Sequence, residues 1–95
     1  MARSQYRSEM VVIHEILAIT ADGGRLGANV SYISLKANLS HYAAIEKCDR
    51  LLEAGLMEQH VKKGSRVFCV TNKGLMFFRE LDRFQNIVSS LNLRC

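Results

Sequence analysis

The sequence SHYAAIEKCDRLLEAG, residues 40–55, decides the fold of this 95-residue chain. Ser40 is typical of a helix N-cap, since its hydroxyl accepts a free amide proton of the first turn. Gly55 ends the helix, because glycine readily takes the left-handed conformation that follows a helix C-terminus. The apolar residues between them recur at helical spacing, so they predict one inward-facing stripe. The stripe comprises Ala44, Cys48, Leu51 and Leu52.

A β-hairpin is predicted directly after this helix. Residues 56–61 and 66–71 are short runs that favour strands, and the glycine-containing loop KKGS joins them. A four-residue loop of this kind between two strand-forming runs is typical of a hairpin. Phe68 and Val70 share one face of the second strand and are expected to cover the core, whereas Cys69 points the other way.

Two helices are predicted before this unit. The first covers residues 8–21, where Ser8 serves as the cap and a following glycine pair ends the helix. The second covers residues 29–37, in which apolar residues repeat the same helical spacing. The inward face of the first helix is expected to consist of Met10, Ile13, Ile16 and Leu17.

A fourth and longest helix begins after Thr71, its expected cap. It carries an apolar seam of Phe77, Leu81, Phe84, Val88 and Leu91, spaced 4, 3, 4 and 3 residues apart. This is the heptad spacing of a coiled coil, over about two heptads. Because so large an apolar seam is costly to expose, we expect Phe77 and Leu81 to pack partly on the monomer's own core. The rest of the seam is expected to meet a second chain.

Size and composition limit the classes of function. A chain of 95 residues with a net charge of +4 fits one small basic domain and excludes a large enzyme with its own cofactor domain. No apolar run approaches the roughly 18 residues that cross a bilayer, and no secretion signal is recognisable. We therefore expect a cytoplasmic protein with no membrane partner. No nucleophile motif or phosphate-binding loop is found, so no catalytic residue, enzymatic activity or cofactor is expected.

The three cysteines are Cys48, Cys69 and Cys95. Their odd number and wide spacing make a poor disulfide framework and a poor zinc site. Free thiols in a reducing compartment are expected, and no metal site. A disulfide that links two copies of the chain through Cys95 stays open as an alternative.

The order of elements, three helices, a basic hairpin and a fourth helix, describes a winged helix-turn-helix. It places the chain in the mainly α (α+β) class, with a two-stranded wing and a long C-terminal helix. In such a fold the third helix enters the major groove of DNA, and the wing contacts the flanking phosphates.

Several motifs carry a more specific resemblance. They are Gly27-Ala28, Ser31, Ile33, KANLS at 36–40, LLEAGL at 51–56 and VTNKG at 70–74. Together they are similar to archaeal winged-helix DNA-binding proteins that dimerise through a C-terminal antiparallel coiled coil, a group that includes small chromatin-associated proteins. The resemblance implies a homodimer that binds double-stranded DNA, associated with the nucleoid, as a transcriptional regulator or a chromatin-architectural protein. It also implies a DNA-binding domain at residues 1–71 and a dimerisation helix at residues 72–95, with the seam as the dimer contact.

The third helix supplies the first cluster of candidate DNA contacts. Lys47 and Arg50 lie one turn apart on its predicted outer face, and an arginine there can bridge guanine O6 and N7. His41 and Tyr42 follow the cap at Ser40, whose hydroxyl is a cap first and a phosphate contact second. The alternative for the two cations is a solvated surface with local ion pairs, and Tyr42 has the alternative of packing on the second helix.

The wing supplies the second cluster, Lys62, Lys63 and Arg66. Like charges bunched at a hairpin tip repel each other and favour an anionic partner. The alternative is that they only protect a strand edge from aggregation. Arg25 and Lys36 border the second helix and are candidates for contact with the DNA backbone.

A different class of function stays open beside DNA binding. The chain is alternatively a protein–protein interaction module built on a winged-helix scaffold, without DNA binding. The net charge of +4 is modest for a DNA-binding protein, and four acidic residues dilute the proposed DNA-binding face. These residues are Glu46, Asp49, Glu53 and Glu58.

Overall fold

The computed structural model describes residues 8–91. The elements are α1 (Glu9–Asp22), a 3₁₀ turn (Gly24–Leu26), β1 (Ala28–Asn29), α2 (Val30–Ala37), α3 (His41–Glu53), β2 (Met57–Lys62), β3 (Ser65–Val70) and α4 (Asn72–Ser90). The predicted order of three helices, a hairpin and a fourth helix is therefore confirmed. Cys95 lies outside the described residues. None of the helices within residues 8–91 is long and apolar enough to span a membrane.

The sheet has one more strand than the sequence predicted. Its order is β1-β3-β2, with both pairs antiparallel. The extra strand, β1, is two residues long and places Ala28 opposite Phe68 and Asn29 opposite Val67. So short a strand shows no alternation of apolar and polar residues, which explains why the sequence pattern did not reveal it.

The wing turn is shorter than the predicted four-residue loop. Lys62 and Ser65 are the last paired residues, so the turn consists of Lys63 and Gly64 alone. Their φ angles are 52° and 79°, the positive values that a two-residue turn needs to match the twist of its strands. The turn therefore holds Lys63 at the tip of the wing in a defined conformation.

Each of the four helices begins with a side-chain cap. The hydroxyl oxygens of Ser8, Ser40 and Thr71 accept from the amides of Val11, Ala43 and Gly74 at 3.2, 3.0 and 3.0 Å. The side chain of Asn29 accepts from the Tyr32 amide at 2.8 Å and caps α2. The three caps expected from the sequence are confirmed, because capping is a local interaction with the third residue of the helix.

The core lies between the sheet and the helices. Phe68 is fully buried on the sheet side, and the inward stripe of α3 is buried as predicted except for Leu52, which is half-buried. Two predictions for this core were wrong, since Met10 is 49 % exposed and Phe77 is 37 % exposed. Phe78 packs against the core in place of Phe77. The other fully buried large side chains are Ile16, Leu17, Ile33, Thr20 and Cys48.

The first half of α4 is fastened to α1. His14 Nε2 donates to Asp82 Oδ1 at 3.0 Å, and the Phe78 ring stacks on the imidazole with centroids 4.9 Å apart. Gly74 permits the close approach of this helix to the hairpin, because a Cβ there would overlap the carbonyl oxygen of Leu56. Leu81 completes the contact as a buried core residue.

The buried thiol of Cys48 makes the stability of the fold depend on pH in the alkaline range. Burial raises the pKa of its thiol from 9.0 to about 12, partly opposed by the nearby Arg66 charge. Above pH 9 the unfolded chain ionises this thiol while the folded chain keeps it neutral, so stability falls as pH rises toward 12.

We expect the free energy of unfolding to fall by about 1.4 kcal/mol more in the native chain than in Cys48→Ala between pH 8 and pH 10. Urea unfolding at the two pH values measures both. All other titrating groups are common to the two proteins. If their free energies of unfolding fell equally between the two pH values, the Cys48 thiol would not be the cause.

Candidate nucleic-acid interface

A groove joins the first turns of α2 and α3 to the wing. Its floor and walls come from three elements that are distant in sequence, and the wing contributes its turn and the start of β3. The lining residues are Asn29, Val30, Ser31, His41, Ile45, Gly64, Ser65 and Arg66. The fold therefore brings one end of α3 and the wing tip, both predicted as contact sites, to the same side of the molecule.

The side chains around this groove that are free to bind a ligand lie at its two ends. Lys62 and Lys63 are exposed at the wing tip and form no ion pair within the part of the chain that the structure describes. His41 and Tyr42 are exposed in the first turn of α3, and Tyr42 is 79 % exposed. Tyr42 thus does not pack on α2. Ser40 is occupied by its capping bond to Ala43.

Arg66 is held by the fold. Its Nη2 donates to Asp49 Oδ1 and its Nε donates to Gln59 Oε1, each at 2.7 Å, while the guanidinium lies 5.0 Å from the Phe68 ring centroid. Asp49 belongs to α3, and Arg66 and Gln59 face each other diagonally across the hairpin. Arg66 therefore braces the wing against α3. The sequence indicated its charge but not these partners.

Lys47 and Arg50 are turned toward α1. Glu9 Oε2 forms ion pairs with both, 2.6 Å from Arg50 Nη1 and 3.4 Å from Lys47 Nζ. The Lys47 side chain is only 18 % exposed, so its predicted place on the outer face of α3 was wrong. The alternative for these two cations was local ion pairs, but the partner that the structure gives them, Glu9, belongs to another helix.

The outer face of α3 is polar and acidic. Glu46 and Glu53 are exposed there, together with Tyr42. Glu58 was grouped with them from the sequence, but it pairs with Cys69 across the hairpin and lines a second groove with Arg25 and His60.

Arg25 and Lys36 lie away from the wing groove. Arg25 is exposed in the 3₁₀ turn, and its carbonyl oxygen accepts from Cys69 Sγ at 3.6 Å. Burial raises the pKa of the Cys69 thiol, and the nearby Glu58 charge raises it further. Lys36 lies over the Tyr32 ring, with Nζ 5.8 Å from the centroid. Within residues 8–91, no cluster of His, Cys, Asp and Glu side chains could hold a metal ion.

An apolar surface runs along α4 and the start of α1. Beyond the predicted seam, Met10 of α1 and Met76 and Ile87 of α4 are also large apolar side chains that are about half or more exposed. Phe84 is 61 % exposed. A groove in this surface is lined by Ser8, Met10, Val11, Leu81, Phe84, Gln85, Val88 and Ser89.

The arrangement of a capped three-helix core, a small antiparallel sheet and a projecting hairpin defines the winged-helix class of protein. A family model described as winged helix-turn-helix matches residues 6–89. Because this match covers most of the chain, the protein belongs to the winged helix-turn-helix family. A comparison with curated protein sequences gave no match.

Solved structures share the fold at low sequence identity. The DNA-binding protein Sso10a-2 from Sulfolobus solfataricus is 17 % identical, with a TM-score of 0.79, covering 90 % of this chain and 86 % of that one. The transcriptional regulator BldR from the same organism is 18 % identical, with a TM-score of 0.75, covering 85 % and 59 %. A MarR-family regulator from Rhodococcus sp. RHA1 is 16 % identical, with a TM-score of 0.72, covering 77 % and 52 %. This chain thus spans little more than half of the two larger proteins.

We expect Arg66→Ala to lower the free energy of unfolding by about 1–2 kcal/mol, because it leaves Asp49 and Gln59 without their charged partner. Lys62→Ala/Lys63→Ala is the control, and it should stay within about 0.5 kcal/mol of the native chain. Urea unfolding measures both variants. An Arg66→Ala variant as stable as the control would show that Arg66 does not brace the wing.

Proposed function

We propose that this chain is a non-enzymatic, homodimeric protein that binds duplex DNA, with the first turn of α3 at the major groove and the wing on the phosphates. The observation that carries the proposal is the groove between α3 and the wing, flanked by two wing-tip lysines that form no ion pair with any of residues 8–91. Backbone phosphates are the anions that such a surface meets along a duplex, and each neutralised phosphate releases counterions.

The structural neighbours support DNA as the partner. Sso10a-2 is described as a DNA-binding protein, and its length is close to that of this chain. BldR is described as a transcriptional regulator and is considerably longer. Both support the resemblance to archaeal winged-helix proteins that the sequence motifs suggest.

Limited base reading is the mode of binding that the charges favour. The outer face of α3 presents Glu46 and Glu53, and both of the basic side chains of α3 are paired with Glu9. His41 and Tyr42 remain as the side chains of α3 best placed for base edges. Phosphate contacts therefore dominate, which suits an architectural protein better than a regulator that needs a large specificity ratio. Comparison of the affinity for random and for selected duplexes separates the two roles.

Dimerisation is proposed through α4. Large apolar side chains stand exposed along this helix from Met76 to Leu91, and an exposed apolar patch of this kind marks an interface. The repeat of Phe77, Phe84 and Leu91 at seven-residue spacing suits a coiled coil with the same helix of a second copy. In a two-fold dimer, α3 and the wing of one copy would lie apart from those of the other copy. The two copies would then bind either one duplex or two.

We expect Lys62→Ala/Lys63→Ala to weaken duplex binding to all sequences and to make the dependence of log K on log salt shallower by about two. Anisotropy titrations at several salt concentrations measure both quantities. Arg79→Ala/Arg83→Ala removes two equal charges from α4 and serves as the control. If both pairs of substitutions weaken binding equally, the wing has no particular role.

We expect Phe84→Glu to convert the dimer to a monomer, since it places a charge in the middle of the apolar surface of α4. Sedimentation equilibrium measures the change. Asn86→Glu adds the same charge two residues away, on the opposite side of the helix, and should leave the dimer intact. A monomeric native chain, or equal effects of both substitutions, would contradict dimerisation through this surface.

A protein–protein interaction module without DNA binding is the second candidate. The exposed Glu46 and Glu53 on α3 favour it, because carboxylates there repel phosphates. A native chain that has no measurable affinity for duplex DNA at low salt, but captures a protein in stoichiometric amount, would favour this function.

A further inference from the structure

Glu9 holds both basic side chains of α3. The sequence of this helix, HYAAIEKCDRLLE, contains Lys47 and Arg50 as its lysine and arginine residues. The same carboxylate oxygen of Glu9 lies 2.6 Å from Arg50 Nη1 and 3.4 Å from Lys47 Nζ. One carboxylate at the start of α1 thus pairs with both cationic side chains of the helix that is proposed to face DNA, and it offsets one of their two positive charges.

The Arg50 side chain is positioned to reach a phosphate once it is released. Its side chain is 57 % exposed, so a phosphate that approaches this side of α3 can reach it. Glu9 is itself 44 % exposed, so water and salt compete with this contact. An ion pair of such exposure contributes little to stability and is readily exchanged for another partner.

Capping of α1 does not require Glu9 to contact α3. The Ser8 hydroxyl already caps the helix through the Val11 amide, and any carboxylate in the first turn interacts favourably with the helix dipole. The position of the Glu9 carboxylate against α3 therefore calls for a separate role.

We propose that Glu9 sets the affinity for DNA by withholding Lys47 and Arg50 from the phosphate backbone. This proposal rests on the proposed function. A duplex that approaches α3 must displace the Glu9 carboxylate before either cation can neutralise a phosphate. The competition lowers the affinity for every sequence equally, because phosphates carry no sequence information.

The experiment titrates a short duplex of random sequence with the full chain by fluorescence anisotropy at several salt concentrations. We expect Glu9→Gln to bind the duplex about three- to tenfold more tightly. The slope of the logarithm of the association constant against the logarithm of salt concentration should become steeper by about one to two. Asp22→Asn is the matched control, since it removes one carboxylate from the opposite end of the same helix. It should leave the salt dependence unchanged.

A double-mutant cycle distinguishes release of the two cations from a general change in charge. In a Lys47→Gln/Arg50→Gln background, the gain from Glu9→Gln should disappear. Circular dichroism of each variant reports whether the fold is retained. The salt dependence of binding would not change if Glu9 had a purely structural role.

The outcomes separate this proposal from the proposed function. If the native chain binds no duplex DNA, or Lys62→Ala/Lys63→Ala changes nothing, the proposed function fails and this proposal fails with it. If the native chain binds through the wing but Glu9→Gln gives no gain, Glu9 does not control affinity. A gain that Asp22→Asn reproduces, or that persists without Lys47 and Arg50, overturns the proposal in the same way.

Discussion

The burial of Phe68 is the constraint on which the rest of the structure depends. Its side chain is fully enclosed, and its strand pairs with β1 on one side and β2 on the other. The same strand also contacts α1, α2 and α4, and Phe68 belongs to the buried cluster that these helices share with the sheet. The wing consists of the ends of β3 and its partner β2 that meet at the turn. Its tip is consequently held at a fixed position beside the first turn of α3, and that position creates the groove proposed for the phosphate backbone.

Charge pairing divides the basic residues of α3 and the wing into two groups. Arg66 has partners in α3 and β2, and both basic side chains of α3 share Glu9, so these cations bind parts of the fold together. Lys62 and Lys63 stand at the wing tip without ion pairs in the described part of the chain. Around the groove, the positive charge that is available to an anionic partner is therefore concentrated at the wing tip. The wing tip carries this positive charge, whereas the exposed face of α3 carries the carboxylates of Glu46 and Glu53.

The sequence predicted those features that depend on local interactions. The caps at Ser8, Ser40 and Thr71 were predictable because each hydroxyl binds an amide three residues further along the same helix. The inward stripe of α3 follows from helical spacing in the same way. Lys47 was misplaced although a signal existed, since it directly precedes the buried Cys48 and lies one turn before the buried Leu51.

The features that were missed depend on tertiary contacts. The pairing of β1 with β3, and of Glu9 with α3, joins residues far apart in sequence, and no local pattern encodes either of them. The exposed apolar surface of α4 is an intermediate case. Ile87 falls between Phe84 and Leu91 at helical spacing and could have been added to the seam, whereas the contribution of Met10 required the position of α1 against α4.

The first turn of α1 serves two surfaces at once. Glu9 points to α3 and contacts its cations, while Met10 and Val11 line the apolar groove with Phe84 and Val88 of α4. The side chains of consecutive residues in a helix point in directions about 100° apart, so one turn can reach both neighbours. An element that packs on α4 therefore touches the same turn that holds the basic side chains of α3. In a dimer formed through α4, the first turn of α1 would contribute both to the subunit contact and to the ion pairs of α3. A change in this turn would then affect both.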